Sequence, residues 1–386
     1  MRDSGDRVRA RMILGINGIR LVVKPSGVAR YIEALLRNMD VLEHPFTEIR
    51  VYTPTPLDNR TYLPRGAINV VLPSRLSFAW WEQITLPRAH GRRGLLLCPS
   101  YVVPLFARCP TFLIHHGSYE GYPQGFAWWT LNKARAIYTL SAWRATGVST
   151  VSECSRRDMV RYYHLSADCI HVVPAGVDTR LFRPLQDQAS LARWRTSVFG
   201  ADVPYVTYVG KPTERRNLSA LIRAFAVLKW KLGLPHKLLV VGGDLPGTSP
   251  FRRVITEVGL DRDVTIMGHA THEEMVFVYN AAALFIYPSS YEGFGMPVLE
   301  AMACGVPVIT LDNTAFPEFA SGVAQLLPDA RVETLVEGMR RVLVDEALRR
   351  RMAQEGPLRA AKYDWRLLTR RYLDLMIPIA RDHEAT

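Results

Sequence analysis

The chain alternates short apolar runs with longer stretches in which apolar residues recur every three or four positions. Met12–Asn17, Arg50–Tyr52, Ile68–Leu72, Leu95–Cys98, Thr111–His115, Gly147–Val151 and Cys169–Val173 read as strands. A second series follows at Tyr205–Val209, Lys237–Val241, Val264–Met267, Ala281–Tyr287 and Val306–Thr310. Between them, Val28, Tyr31, Ile32, Leu35, Leu36 and Met39 mark one helix face, and Leu221, Ile222, Phe225 and Leu228 mark another. Helices are also expected over Phe126–Arg144 and Thr271–Asn280, after Val332, and from Trp365 to about Ile379. Ser152 is placed to cap the start of one more. Apolar strands separated by helices imply parallel sheets covered on both faces, an α/β fold. Two such series in 386 residues imply two domains, 1–182 and 183–364, with a closing helix over about 365–386. The turn Pro174-Ala175-Gly176-Val177-Asp178 ends the first, and a linker runs on through Pro184.

Bulk properties narrow the class. The five cysteines are scattered and none is in a C-x2-C pair, so neither a disulfide framework nor a zinc site is indicated. That usage fits a reducing cytoplasm. The first eleven residues are charged and lack an apolar core, so no signal peptide is expected. No run approaches the length of a membrane span. Residues 1–180 carry +10 of the formal net charge of +12. A basic N-terminal half calls for an acidic partner. No nucleic-acid motif accompanies it, which leaves an anionic membrane surface rather than nucleic acid, and peripheral attachment at the inner face of the membrane. The expected helix Phe126–Arg144 interleaves Trp128, Trp129 and Trp143 with Lys133, Arg135 and Arg144, as interfacial helices do. An ordinary amphipathic helix covering the sheet is the plainer reading.

The candidate chemistry centres on Ser289–Ile309. An apolar strand enters a loop holding Gly293 and Gly295, and Pro297 suits the first turn of a helix that stops at Gly305. Glycines at a helix N-terminus leave backbone N–H groups open to an anion such as phosphate. Glu292 in the loop and Glu300 in the helix, eight positions apart, suit acceptance from neutral hydroxyls, because carboxylates repel phosphate. An anion cradle with hydroxyl acceptors suggests a nucleotide sugar. Gly27, at the start of the first helix, offers a second approach for a phosphate. Lys211, Arg215 and Arg216 precede another helix, where positive charge opposes the dipole, so an anion there explains their presence. His115 and His116 end a strand, where ligands of parallel sheets gather. No G-x-G-x-x-G follows the first strand, which disfavours a nicotinamide dehydrogenase.

The run E-GFGMPVL-E-AMACGVPVI resembles the E-x7-E signature of retaining glycosyltransferases of the GT-B fold, family 4. The resemblance extends, more weakly, to PSGVARYIEALL, the RRN segment, the IHH strand and PAGVD, in which Ala175 replaces the usual Asn. It implies two Rossmann-like domains facing across a cleft, with the last helix crossing back onto the first. It implies transfer of a hexose from a nucleoside-diphosphate sugar, GDP-mannose or a UDP-sugar, to a glycan or lipid-linked hydroxyl, as in bacterial surface-polysaccharide synthesis. By resemblance, Lys211 and Arg216 grip the diphosphate, with the family's Arg and Lys exchanged. Glu300 takes the ribose, Glu292 and the N–H groups of Phe294–Met296 take the sugar, Gly268 and His269 meet the base, and His115 contacts the sugar near the reacting carbon. His116 stands where relatives often carry Asp. No D-x-D metal motif serves the site and the cations can replace a divalent ion, so no metal or other cofactor is expected. A phosphorylase or epimerase on the same fold, and a non-catalytic nucleotide-sugar-binding protein, are the alternatives.

Overall fold

The computed structural model describes residues 12–23, 26–75, 77–119, 128–243 and 249–384. The N-terminal tail, Lys24 and Pro25 of the first loop, and Phe126 and Ala127 of the expected aromatic helix lie outside them. The chain divides into two compact units. Among the described residues one takes 12–119, 128–175 and 365–384, and the other takes 176–364, so the division falls within the PAGVD turn.

The first unit is built on β1 (Ile13–Asn17), β2 (Glu48–Thr53), β3 (Ile68–Val71), β4 (Leu95–Cys98), β5 (Thr111–His115), β6 (Gly147–Thr150) and β7 (Ile170–Val172). They form one parallel sheet in the order β3-β2-β1-β4-β5-β6-β7. Every residue of β1, β4 and β5 is buried, which is why these strands read as apolar runs with polar residues only at their ends. The helix Gly27–Met39 buries Tyr31, Ile32, Leu35, Leu36 and Met39, the face its spacing marked, and Ser26 Oγ caps it by accepting from Ala29 N.

The C-terminal helix Trp365–Glu384 belongs to this unit and buries Trp365, Leu368, Tyr372, Leu373 and Met376. Tyr31 Oη donates to Tyr372 Oη at 2.6 Å, and Tyr372 Oη donates to the Val173 carbonyl at 3.3 Å. The helix passes through Pro378 and runs beyond Ile379 to Glu384. A bond of 2.7 Å between His383 Nε2 and the Arg92 carbonyl holds the last turn.

The second unit carries β8 (Tyr205–Val209), β9 (Lys237–Val241), β10 (Val264–Met267), β11 (Leu284–Tyr287), β12 (Val308–Leu311) and β13 (Gln325–Leu327), all parallel, in the order β10-β9-β8-β11-β12-β13. β11 starts three residues later than its apolar run suggested, because Ala281 N still donates to Phe277 O and closes the helix His272–Asn280. Each sheet reverses its strand order once, between β1 and β4 in the first and between β8 and β11 in the second. Open parallel sheets bind ligands beyond the carboxyl ends of the strands at such a reversal.

The helix Trp128–Arg144 is present, but it does not simply cover the sheet. Ser141 and Ala142 are buried, whereas Trp129 is 72% exposed and Trp143 60% exposed. Arg144 Nε donates to the Leu105 carbonyl at 3.0 Å, fixing beside this helix a loop whose Phe106 is 80% exposed. Among the described residues no helix is long and apolar enough to cross a membrane.

Candidate functional site

In the second unit β8 and β11 are neighbours, so the loops leaving their carboxyl ends emerge side by side. After Val209 the β8 loop carries Lys211, a short helical turn Glu214–Arg216, and Asn217 in the left-handed region at φ 52°, from which the helix Leu218–Leu232 departs. After Tyr287 the β11 loop runs to Gly295 and opens the helix Met296–Ala303, with Pro297 in its first turn. Asn217 Nδ2 latches the two loops by donating to the Pro288 carbonyl and to Ser290 Oγ, each at 2.8 Å. Ser290 N donates back to Arg215 O at 2.8 Å.

Gly295 turns the chain into the helix at φ 105°, where a side chain is strained, and a Cβ there would meet the Phe316 ring at 2.6 Å. Gly295→Ala is therefore expected to cost about 1–3 kcal/mol, read as a lower urea midpoint.

Glu292 is the hub of this site. Its Oε1 accepts from Arg215 Nη1 at 2.9 Å, Arg216 Nε at 2.9 Å, Tyr287 Oη at 2.8 Å and Ser289 Oγ at 3.1 Å. The carboxylate is 6% exposed. Burial alone would raise its pKa, but Arg216 and Arg215 beside it more than offset that and hold it down at about 2. Oε2 has no hydrogen-bond partner among the described residues. One oxygen is thus fixed by four donors and the other is left to receive a fifth.

The two arginines differ. Arg215 Nη1 is shared among Glu292, Ser289 Oγ and the Tyr291 carbonyl, so it braces the loop. Arg216 lies over the Tyr287 ring at 5.5 Å and gives Nη1 to the Lys211 carbonyl at 3.0 Å. Burial works against its charge, while Tyr287 and Glu292 keep it protonated with a pKa well above the usual value.

The other expected site residues fare unevenly. Lys211 is exposed, and only its carbonyl joins the network, accepting from Arg216 and, at 3.4 Å, from Tyr208 Oη. The side chains that meet on Glu292 are those of Arg215 and Arg216, and that of Lys211 does not join them. Glu300 is buried inside its helix, and its Oε2 accepts from Tyr279 Oη at 2.9 Å. Gly293 and Phe294 are buried in the loop, with Phe294 stacked on Phe319, and Met296 begins the helix. Gly268 O accepts from Gly242 N at 2.9 Å, and His269 beside it is exposed.

In the first unit Gly27 opens its helix at an exposed position. His115 is 0% exposed, enclosed by Tyr101, Tyr138 and Tyr163. Its Nδ1 accepts from Gly117 N at 3.4 Å and Nε2 pairs with Tyr163 Oη at 3.0 Å. Burial, reinforced by His116, lowers its pKa to about 3, so the ring is neutral. His115 thus packs against the three tyrosines and shapes the strand end. His116 is likewise buried, with Nε2 on the Pro99 carbonyl at 2.8 Å.

Two family models divide the chain along these lines. The model described as Glycosyltransferase Family 4 matches residues 25–181, and that described as Glycosyl transferases group 1 matches residues 195–359. The chain belongs to the family 4 glycosyltransferases. It is similar to the O-antigen chain mannosyltransferase B of Escherichia coli, at 26% identity over 56% of this chain and 57% of that protein. It is similar also to an MMP alpha-(1->4)-mannosyltransferase of Mycolicibacterium hassiacum, at 30% identity over 56% of this chain and 50% of that one. The chain thus spans about half the length of these curated relatives. Among solved structures, HepE of Anabaena in complex with UDP and glucose superposes with a TM-score of 0.76 at 17% identity, covering 94% of this chain and 98% of that chain. This likeness shows the fold, two parallel-sheet α/β units of the GT-B class.

Within this family 4 chain, sequence reading missed Tyr287, Ser289 and Asn217 as site residues. Tyr287 and Ser289 look like the end of an apolar strand and a turn, and nothing in their spacing points to Glu292. Asn217, directly after two arginines at a helix start, is the one that was open to detection, because Asn tolerates the left-handed conformation.

Proposed function

We propose that the protein transfers a hexose from a nucleoside-diphosphate sugar, GDP-mannose or a UDP-sugar, to a hydroxyl acceptor with retention at the anomeric carbon. The observation that carries this is Glu292 in a family 4 chain: ionised, locked through Oε1 on two arginines, and open at Oε2 next to a helix N-terminus. Such an oxygen suits a sugar hydroxyl, while Arg216 and the N–H groups of Phe294–Met296 suit the diphosphate and sugar. Glu300 takes the ribose hydroxyls, and the Gly268–His269 turn meets the base. The bond from the anomeric carbon to the phosphate oxygen breaks, and the acceptor oxygen bonds to the same face of that carbon. The acceptor proton passes to the departing phosphate oxygen, whose charge Arg216 and Lys211 neutralise. The glutamates hold hydroxyls and do not act as an acid–base pair. The names of the mannosyltransferase relatives, one of them acting in O-antigen synthesis, support a glycan or lipid-linked acceptor in bacterial surface polysaccharide.

The test is a panel of nucleotide sugars read by thermal shift and by release of nucleoside diphosphate. One donor raising the melting temperature and yielding its diphosphate is expected; no response from any member defeats the reading. The cations at the site replace a metal, so transfer is expected to survive EDTA, and loss reversed by a divalent ion would refute this. The exposed Trp129, Leu140, Trp143 and Phe106, with Lys133 on the same helix, form an apolar basic surface suited to an anionic bilayer. Co-sedimentation with phosphatidylglycerol vesicles is expected, weakened in Trp129→Ser/Trp143→Ser. Equal binding by that variant removes the membrane assignment.

A further inference from the structure

The reversal of strand order in the second sheet holds the Arg215–Arg216–Glu292 group. The corresponding place in the first sheet, beyond the ends of β1 and β4, brings a second glutamate, Glu82, together with Asn17 and, close by, Arg20. Asn17 ends β1. Its Nδ2 donates to Glu82 Oε1 at 2.8 Å, and its Oδ1 accepts from Ile19 N at 3.2 Å. Glu82 stands in a π-helical turn, Trp81–Thr85, a rare geometry that concentrates at functional sites.

The residues on either side of Glu82 pin that turn. Trp81 is buried and its Nε1 donates to the Leu72 carbonyl at 2.9 Å. Gln83 Nε2 donates to Val103 O at 3.0 Å, and its Oε1 accepts from Leu105 N at 2.9 Å. Glu82 itself is only partly buried, and its Oε2 has no hydrogen-bond partner among the described residues. Arg20, in the turn just after β1, is near enough to act electrostatically on both Glu82 and His116, and its Nε is buried without a partner. As at Glu292, one carboxylate oxygen is anchored and the other is open, with a guanidinium close by.

We propose that Asn17, Arg20 and Glu82 form a hydroxyl-recognition site that takes the saccharide end of the acceptor, with Glu82 Oε2 accepting from a sugar hydroxyl. This rests on the glycosyl-transfer reading above. A carboxylate beside donors suits the vicinal hydroxyls of a neutral sugar, each of which donates to one group and accepts from another. It repels a phosphate or carboxylate at that position.

The test uses saturation-transfer NMR on the full chain with a panel of methyl hexosides as probes, together with nucleotide-induced thermal shift. Glu82→Gln keeps an oxygen for Asn17 and turns the open acceptor into a donor. At least one methyl hexoside is expected to bind the wild type and to lose affinity about tenfold in Glu82→Gln, the worth of one hydrogen bond to a charged group. The melting temperature and the nucleotide-induced shift are expected to stay unchanged. No hexoside signal from the wild type, or equal signals from both proteins, overturns the site. Absence of a nucleotide-induced shift in the wild type defeats the donor reading instead, and so separates the two failures. If Glu82→Gln does not fold, Arg20→Gln is expected to show the same selective loss, and hexoside binding unchanged there overturns the proposal.

Discussion

Arg216→Ala is expected to lower sugar transfer by about a hundred- to a thousandfold, the loss seen when one preorganised donor to a developing negative charge is removed. Its guanidinium is mostly buried, fixed by Glu292 and by the Lys211 carbonyl, and spread over the Tyr287 ring. It therefore meets the leaving diphosphate with little reorganisation. Lys211 is exposed and its side chain must be ordered by the ligand, so Lys211→Ala is expected to cost at least about tenfold less than Arg216→Ala. Initial rates at saturating donor decide the order. If Lys211→Ala is the more damaging, the buried arginine is a brace and the lysine is the phosphate ligand. Arg216→Lys is expected to recover only part of the rate, because an ammonium cannot hold Glu292 Oε1 and a phosphate oxygen in one plane.

Glu292→Ala is expected to abolish transfer and also to destabilise the second unit by about 3–5 kcal/mol, since it leaves two buried guanidinium groups without their counter-charge. Motif logic alone, treating the residue as a sugar contact, expects lost activity with an intact fold. Glu292→Gln keeps an acceptor oxygen and is expected to be the milder change in stability. The sign of the pH effect follows from the depressed carboxylate, with a pKa of about 2 against a usual 4.5. Above about pH 4.5 its stabilising contribution is fully present, and it is lost as pH falls through about 2. Urea midpoints measured down that acid range should fall more steeply for wild type than for Glu292→Gln. Parallel curves would show that Glu292 is not held ionised by the arginines.

How far the site was legible depended on how local its signals are. Strands such as β5 and β8 were marked to the residue by their mainly apolar runs, because burial on both faces leaves few polar positions in them. The glycine loop and Pro297 announced the helix start, since turn and cap chemistry lies within a few neighbours. His115 shows the opposite case: its place at a strand end suggested a ligand contact, yet three tyrosines from distant segments enclose it. Glu82 carried no visible signal, because its meaning lies in a hydrogen bond to Asn17 across 65 positions of chain.

Sequence by itself determined two βα series, the E-x7-E loop and a family 4 glycosyltransferase, because periodicity, turn residues and signature spacing are properties of short segments. Tertiary structure alone decided that Arg215 joins Arg216 on one oxygen of Glu292, that Lys211 stays outside, and that Asn17 and Glu82 meet. Each of these depends on which strands lie side by side, and strand order is fixed by packing of the whole sheet.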